Sequence, residues 1–223
     1  MKGIAILGST GSIGRNSLDV IKRFPQEFRV VGLSANSNAA ALNAQAREFN
    51  PRWVHINDKE AADGLRKLLP KGIRLYSGAD ALCSLIGEKN IDRIVLAISG
   101  SAALIPLLEA IKAGKIIAMA NKEAVVMAGD VLRPVLDKSK ACIIPIDSEQ
   151  SAIWQCLKGH DRARLKNIYL TASGGPFKDT HISKLRDISV EKVLRHPKWR
   201  MGKKISVDSA SLMNKGLEVI EAM

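Results

Sequence analysis

The sequence has few of the residues that mark secreted, membrane-spanning or base-stacking proteins. Its 223 residues contain three cysteines, Cys83, Cys142 and Cys156, which form no close pair and lie in apolar stretches where buried thiols are expected. No apolar run reaches the length of a bilayer, and no signal-peptide pattern precedes the first predicted strand. Aromatic residues make up 4% of the chain and are scattered. We therefore expect a cytoplasmic protein without disulfides and without a membrane partner.

Positive charge is abundant but unevenly placed. The formal net charge is +12, and between Lys158 and Lys204 there are thirteen Lys and Arg residues against four acids. Such a region suits a phosphorylated small molecule as well as a polynucleotide. Because the sequence shows no nucleic-acid-binding motif and no aromatic stacking platform, we expect a small phosphorylated substrate and no nucleic-acid partner.

Short apolar runs alternate with helical patterns as far as Asp147. Strands separated by helices predict an α/β fold with a Rossmann-like, doubly wound parallel sheet and right-handed crossovers. The pattern changes after Asp147, and a chain of 223 residues is long enough for two domains. We place these domains at residues 1–147 and 148–223.

A glycine turn follows the first predicted strand, Gly3 to Leu7, and leads into a predicted helix. It reads Gly8-Ser9-Thr10-Gly11-Ser12-Ile13-Gly14. Glycines allow the backbone to approach a pyrophosphate, and the helix that follows presents amide groups and positive dipole to it. The pattern therefore favours a dinucleotide site, although a glycine-rich turn without a ligand has the same appearance.

The loop after the second predicted strand bears on the choice of cofactor. An NAD-specific domain usually places an acid there, but this loop reads Asn36-Ser37-Asn38. A neutral loop accepts the 2′-phosphate of NADP without repulsion. The loop also fits a polar helix cap at Ser37 or Asn38, and the two interpretations are compatible.

Charged residues follow two later predicted strands. Asn121-Lys122-Glu123 is either a solvated loop or part of a catalytic site. Asp147 and Glu149 follow the apolar run 142–146, and in an extended segment these two carboxylates would point the same way and could bind one hard cation. A third acid, Glu218, would have to fold back to them. The alternative is that Asp147 caps a helix and Glu149 is an acid of its first turn.

Three further features lie in the second half. Ser173 opens a Ser-Gly-Gly-Pro turn that is either an anion-binding site or a plain turn at the end of a strand. The stretch 196–204 combines proline, tryptophan, glycine and cations outside any periodic pattern, which suits a lid that orders over substrate or a surface loop with one packed tryptophan. Asn214 and Glu218 are four residues apart on a predicted helix and should share a face.

Taken together, six motifs closely resemble the 1-deoxy-D-xylulose 5-phosphate reductoisomerase family. They are GSTGSIG at the start, ANKE at 120–123, PIDSE at 145–149, SGGPF at 173–177, HPKWRMGKKISVDSA at 196–210 and MNKGLE at 213–218. The resemblance implies NADPH and Mg²⁺ or Mn²⁺ as cofactors, conversion of 1-deoxy-D-xylulose 5-phosphate to 2-C-methyl-D-erythritol 4-phosphate in the non-mevalonate isoprenoid pathway, and a homodimer.

The resemblance also implies roles for individual residues. Metal ligands would be Asp147, Glu149 and Glu218. Catalytic residues would be these three with Lys122, His196 and Trp199. Substrate would contact Ser148, Glu149, Ser173, His196, Ser209, Asn214, Lys215 and Glu218. NADPH would contact Gly8, Thr10, Gly11, Ser12, Ile13, Gly14, Asn36, Ser37, Asn38, Asn121, Lys122, Glu123 and Gly202. The loop 36–38 departs from the family by lacking a cation, so neutral donors or Arg15 would hold the 2′-phosphate.

Family members are longer than this chain. Residues 148–223 would therefore be an incomplete α+β catalytic domain, and either the protein is truncated or the chain is one part of a longer protein. Two other functions fit the residues alone. One is a semialdehyde-type NADP dehydrogenase with Cys142 or Cys156 as the nucleophile, and the other is a basic NADP-binding domain without catalysis.

Overall fold

A computed structural model describes residues 1–198 and 201–223. The chain forms two compact units, Met1–Asp147 and Ser148–Met223. Trp199, which the sequence places in the predicted lid, lies outside the described residues.

The first unit is built on seven strands, with helices between them. The strands are β1 (Lys2–Leu7), β2 (Phe28–Ala35), β3 (Trp53–Ile56), β4 (Arg74–Ser77), β5 (Arg93–Leu96), β6 (Ile116–Met119) and β7 (Cys142–Pro145). The helices are α1 (Ser12–Arg23), α2 (Ala39–Phe49), α3 (Lys59–Arg66), α4 (Ala79–Ile86), α5 (Leu104–Lys112) and α6 (Glu123–Asp137), with a 3₁₀ turn at Gly100–Ala103 before α5.

All strand pairs in this sheet are parallel, and the spatial order is β4-β3-β2-β1-β5-β6-β7. Apolar clusters cover both of its faces. Ile6 of β1 packs with Leu18, Leu42 and Leu65 from α1, α2 and α3, whereas Leu7 belongs to the cluster that holds the apolar residues of α4, α5 and α6. Burial on both faces explains why β1 reads as a continuous apolar run. The predicted doubly wound α/β sheet is therefore confirmed.

The strand order reverses between β1 and β5, where a doubly wound sheet opens a crevice. The register also aligns the carboxyl ends of four strands, because Leu7 pairs with Leu96, Leu96 with Met119 and Met119 with Pro145. The turns that follow β1, β5, β6 and β7 consequently leave the same edge of the sheet. This alignment brings the glycine turn, Asn121, Lys122 and Asp147 to one edge of the unit.

Two elements and the burial of two cysteines differ from the sequence-based expectation. Strand β4 was not predicted, because Arg74–Ser77 has only four residues, lies at the sheet edge and is partly exposed. Helix α6 begins at Glu123, inside the triplet for which the sequence indicates either a loop or a catalytic site, and it is kinked at Ala128, whose φ of −141° and ψ of 23° are not helical. Cysteine burial was also predicted wrongly, since Cys142 and Cys156 are exposed.

In the second unit, the described residues form helices and 3₁₀ turns and no strand. The helices are α7 (Ser148–Leu157), α8 (Val190–Val193), α9 (Lys203–Ala210) and α10 (Met213–Ala222), and the 3₁₀ turns are Arg162–Arg164 and Ile182–Lys184. Helix α7 begins at Ser148, directly after Asp147, so Glu149 lies in its first turn. The last two residues of the predicted lid, Lys203 and Lys204, belong to α9. Of the helices described in both units, none has the length and apolar composition that a membrane span requires.

A buried histidine of β3 contacts strand β2 and the turn after β4. His55 is 1% exposed, and its Nε2 lies 2.9 Å from the carbonyl oxygen of Gly78. A carbonyl only accepts, so Nε2 carries the proton, and Nδ1 of the neutral ring accepts from the Ser34 hydroxyl at 3.0 Å. Burial lowers the pKa of His55, although the hydrogen bond to Gly78 opposes this shift. The fold thus favours the neutral ring.

Acid should destabilise the first unit through His55. Below the ordinary histidine pKa of about 6.5 the unfolded chain binds a proton that the folded chain excludes, so the free energy of unfolding falls as pH falls. We expect an additional slope approaching about 1.4 kcal/mol per pH unit in the wild type, absent from His55→Gln. Urea unfolding from pH 7.5 to 5 measures it, with exposed His160→Gln as the control. Parallel curves for wild type and His55→Gln would contradict this assignment.

Candidate functional site

The glycine turn after β1 lies against the start of α1 and the end of β5. Gly8 has a φ of +90°, and a Cβ there would lie 2.5 Å from the carbonyl oxygen of Ala97. A Cβ on Gly14 would lie 2.4 Å from the Gly8 oxygen. Helix α1 begins after Gly11, and no side chain caps its N-terminus. Since the first amide groups of a helix have no partner within it, they can bind an anion here.

The loop after β2 contains a helix cap and no cation. The side chain of Asn38 accepts a hydrogen bond from the amide of Ala41 and caps α2. The Asn36 side chain accepts one from Asn57 at 3.2 Å, and Ser37 is exposed. The guanidinium of Arg15, which was considered for the 2′-phosphate, donates instead to the carbonyl oxygen of Thr10 at 3.2 Å. The cap interpretation therefore holds for Asn38.

The triplet after β6 is largely buried, so its interpretation as a solvated loop is wrong. Asn121 and Lys122 are 6% and 5% exposed. The Asn121 amide donates to the carbonyl oxygens of Ile98 and Gly100 and accepts from the amide of Ala124. Asn121 thereby joins the turn after β5 to the first turn of α6. Glu123 is the first residue of that helix.

Lys122 forms an ion pair with Asp147. Its Nζ lies 2.5 Å from Oδ2 of Asp147, and the two side chains are 5% and 20% exposed. Register explains the meeting, because β6 and β7 are paired neighbours and both residues follow their carboxyl ends. The ammonium compensates one carboxylate of the candidate metal site.

A second lysine compensates two further carboxylates in the second unit. Lys215 Nζ lies 2.8 Å from Oε1 of Glu149 and also contacts Oε2 of Glu218. Asn214 Nδ2 donates to Oε1 of Glu218 at 2.6 Å, which confirms that these two residues share a face of α10. Glu218 is 0% exposed, so its charge depends on these contacts rather than on water.

The pKa values of Glu149 and Lys215 are both shifted by the ion pair between them. Burial by itself would raise the pKa of Glu149, but hydrogen bonds from Lys215 and from the Ser148 hydroxyl at 2.5 Å hold it below its ordinary value. Burial would likewise lower the pKa of Lys215, but its bonds to Glu149 and Glu218 raise it. Both groups are therefore charged near neutral pH.

The three acids predicted as metal ligands lie close together. One carboxylate oxygen from each of Asp147, Glu149 and Glu218 lies within 4.8 Å of the others. Asp147 and Glu149 do not lie in one extended segment, as the sequence had indicated, because β7 ends at Pro145 and Glu149 lies in the first turn of α7. The turn between β7 and α7 orients these side chains, and the alternating side-chain directions of a β-strand do not.

A polar concavity in the second unit collects most of the predicted substrate residues. Its lining comprises Glu149, Ala172, Ser173, Gly174, Ser209, Leu212, Asn214 and Lys215. The Ser-Gly-Gly turn packs tightly on α9, since a Cβ on Gly175 would lie 2.4 Å from the carbonyl oxygen of Ser209. His196 Nε2 lies 3.4 Å from the Ser173 hydroxyl, and exposed Gly202 precedes α9 as its N-cap residue. Hydroxyl, amide and ammonium groups here can bind a phosphate.

Several buried polar residues that support these sites were not predicted. Gln150 donates to the carbonyl oxygen of Glu218 at 2.9 Å and so joins α7 to α10. In the first unit, Ser9 and Gln45 exchange two hydrogen bonds beside the glycine turn. The only signal in the sequence is a polar residue on an otherwise apolar helix face, which is too common to identify a role.

Comparison with known proteins identifies the family. A sequence profile described as 1-deoxy-D-xylulose 5-phosphate reductoisomerase matches residues 4–129, and the profile of that enzyme's C-terminal domain matches residues 143–223. The chain is 50% identical over 222 residues to the reductoisomerase of Thermodesulfovibrio yellowstonii and 48% identical to that of a Thermoanaerobacter species. These matches cover 100% of this chain and 58% of each relative.

Solved structures give the same result. A reductoisomerase in complex with NADPH, fosmidomycin and magnesium is 39% identical with a TM-score of 0.93, covering 100% of this chain and 57% of that one. The Zymomonas mobilis enzyme in complex with NADPH is 38% identical with a TM-score of 0.89, covering 99% and 57%. The chain spans a little under three fifths of its relatives' length, and it belongs to the 1-deoxy-D-xylulose 5-phosphate reductoisomerase family.

Proposed function

We propose that the protein carrying this chain converts 1-deoxy-D-xylulose 5-phosphate to 2-C-methyl-D-erythritol 4-phosphate with NADPH and a divalent metal, as a step of isoprenoid synthesis. The single observation that carries the proposal is the cluster of Asp147, Glu149 and Glu218. Hard oxygen ligands of this kind suit Mg²⁺. Membership of the family indicates the reaction, and the residues of the candidate site have the side chains that this reaction requires.

The residues of the glycine turn fit a dinucleotide. Gly8 and Gly14 sit where any Cβ would collide with backbone, and the uncapped start of α1 leaves room and amide groups for a pyrophosphate. We assign the other predicted contacts, Asn36 to Asn38, Asn121 to Glu123 and Gly202, to the same cofactor. The side chain of Asn121 is held by hydrogen bonds to Ile98 and Gly100. Asn121 would therefore orient the turns that surround the cofactor.

The three carboxylates would suit a metal ion because their negative charges are stabilised by nearby positive charge. The Lys215 ammonium contacts both Glu149 and Glu218, which shows that positive charge is favourable there. When bound, the metal would act as a Lewis acid toward substrate oxygens and stabilise developing negative charge. Asp147, Glu149 and Glu218 would hold it.

The remaining residues would bind and orient the sugar phosphate. Ser173, Ser209, Asn214 and Lys215 line the concavity and would hold the phosphate, a part of the substrate that does not react. Ser148 would contact the carbon backbone, and Lys122, whose ammonium is buried, would donate hydrogen bonds near the reacting oxygens. His196, together with Trp199, would belong to the segment that closes over the substrate.

Family membership favours this metal-dependent reaction over the two alternatives from the sequence, the semialdehyde dehydrogenase and the non-catalytic binder. We also propose three finer assignments. Mn²⁺ as a substitute for Mg²⁺ and a homodimer rest on the family resemblance, and a cytoplasmic location rests on the sequence analysis.

The metal site is tested by titrating Mn²⁺ into the protein in a calorimeter. Replacing Glu218 by Ala removes one of three carboxylate ligands, so we expect the Kd for Mn²⁺ to rise about tenfold or more while the Kd for NADPH is nearly unchanged. Glu191→Ala, an exposed acid on α8 of the same unit, is the matched control. If Glu218→Ala binds Mn²⁺ as tightly as the wild type, the three-carboxylate site is wrong.

The preference for NADPH is tested by placing an acid in the loop after β2. Ser37→Asp would repel the 2′-phosphate, so we expect the Kd for NADPH to rise about tenfold while the Kd for NADH stays the same or falls. Fluorescence titration of both cofactors measures the ratio, with exposed Ser84→Asp on α4 as the control. Wild-type protein that binds NADPH and NADH equally would refute the preference.

The charge balance around Glu218 predicts a large loss of stability on removing one lysine. Lys215→Met leaves a fully buried carboxylate without its ammonium, so we expect the free energy of unfolding to fall by about 3 kcal/mol. Lys22→Met breaks the exposed pair between Lys22 and Glu48, whose side chains are 65% and 47% exposed, and should cost less than about 1 kcal/mol. Urea unfolding compares the two, and equal losses would show that the buried pair is not special.

A further inference from the structure

Ser9 is the buried anchor of the glycine turn. It is 0% exposed, whereas Gly11, Ser12 and Ile13 after it are exposed. Its amide donates to the carbonyl oxygen of Ser34 in β2 at 2.8 Å, and the Gly8 amide donates to the same oxygen at 2.9 Å. The turn is therefore held on its inner side by β2 and is open on its outer side.

Gln45 of α2 holds the remaining polar atoms of Ser9. The Ser9 hydroxyl donates to Oε1 of Gln45 at 2.7 Å, and Nε2 of Gln45 donates to the Ser9 carbonyl oxygen at 2.9 Å. A carbonyl oxygen cannot donate, so only this orientation of the amide satisfies both bonds. Gln45 is itself 8% exposed, which leaves little access for water to replace either bond.

Close backbone contacts restrict the turn on its other sides. A Cβ on Gly14 would lie 2.5 Å from the Cα of Ser9, so α1 already touches the turn. A Cβ on Gly8 would lie 2.7 Å from the carbonyl carbon of Ala97 after β5. Because α1 and β5 block movement toward them, the two bonds from Gln45 decide how far the turn can withdraw toward α2.

We propose that Gln45 is a positioning residue for the pyrophosphate of the dinucleotide. Its amide fixes Ser9, and Ser9 in turn fixes the backbone of half-buried Thr10 and of exposed Gly11 and Ser12, which would face the ligand. Gln45 lies behind the turn and does not touch the cofactor. This inference rests on the proposed NADPH binding and adds a residue outside the glycine motif.

Gln45→Met tests the proposal, because it keeps the length of the side chain and removes both hydrogen bonds. We expect the Kd for NADPH to rise about tenfold, and the Kd for adenosine 2′-monophosphate, which has no pyrophosphate, to change less than about twofold. Calorimetry measures NADPH, and competition against NADPH measures the monophosphate. Gln155→Met, which breaks an exposed Gln–Ser hydrogen bond in the second unit, is the matched control.

An unchanged Kd for NADPH in Gln45→Met, or equal losses for both ligands, overturns the proposal. If that variant does not fold, Ser9→Ala decides, because it removes only the hydroxyl bond. A rise of about threefold for NADPH with the monophosphate unaffected supports positioning, and wild-type affinity overturns it. Failure of the wild type to bind NADPH would instead refute the proposed function itself.

Discussion

The candidate site depends on keeping a fully buried carboxylate charged. Glu218 is inaccessible to solvent, and burying an ionised carboxylate without partners costs several kcal/mol. Lys215 and Asn214 on the same helix contact its two oxygens, while Gln150 of α7 binds its backbone carbonyl oxygen. These contacts tie α10 to α7 and bring Glu149 to the same lysine. A positive charge beside these acids thus stabilises the fold, and the same acids would hold a metal.

The same principle operates in the first unit through Lys122 and Asp147, although strand register rather than helix periodicity brings them together. Parallel strands whose carboxyl ends are aligned deliver their following turns to one edge. The glycine turn, Asn121 and the ion pair of Lys122 and Asp147 all occupy this edge of the unit. A single sheet therefore places the predicted dinucleotide turn and one predicted metal ligand without any long loop.

Sequence patterns predicted the features that depend on long apolar periodicity or on fixed spacing. The doubly wound sheet follows from strands buried on both faces, and the contact between Asn214 and Glu218 follows from helical spacing. Features that depend on tertiary contacts were missed. Burial of Lys122 arises from its pairing with Asp147 across two strands, and β4 is defined by pairing with β3 rather than by its own residues. The bonds between Ser9 and Gln45 span two elements in the same way, and local composition contains no trace of them.

The most direct test of the account is a crystal structure of the protein with Mn²⁺ and NADPH, using the anomalous signal of manganese to locate the ion. The account predicts one manganese peak within about 2.6 Å of carboxylate oxygens of Asp147, Glu149 and Glu218, with the Lys215 ammonium displaced from between the two glutamates. A peak that is bound elsewhere, or a lysine that remains between Glu149 and Glu218 while manganese is excluded, would contradict it.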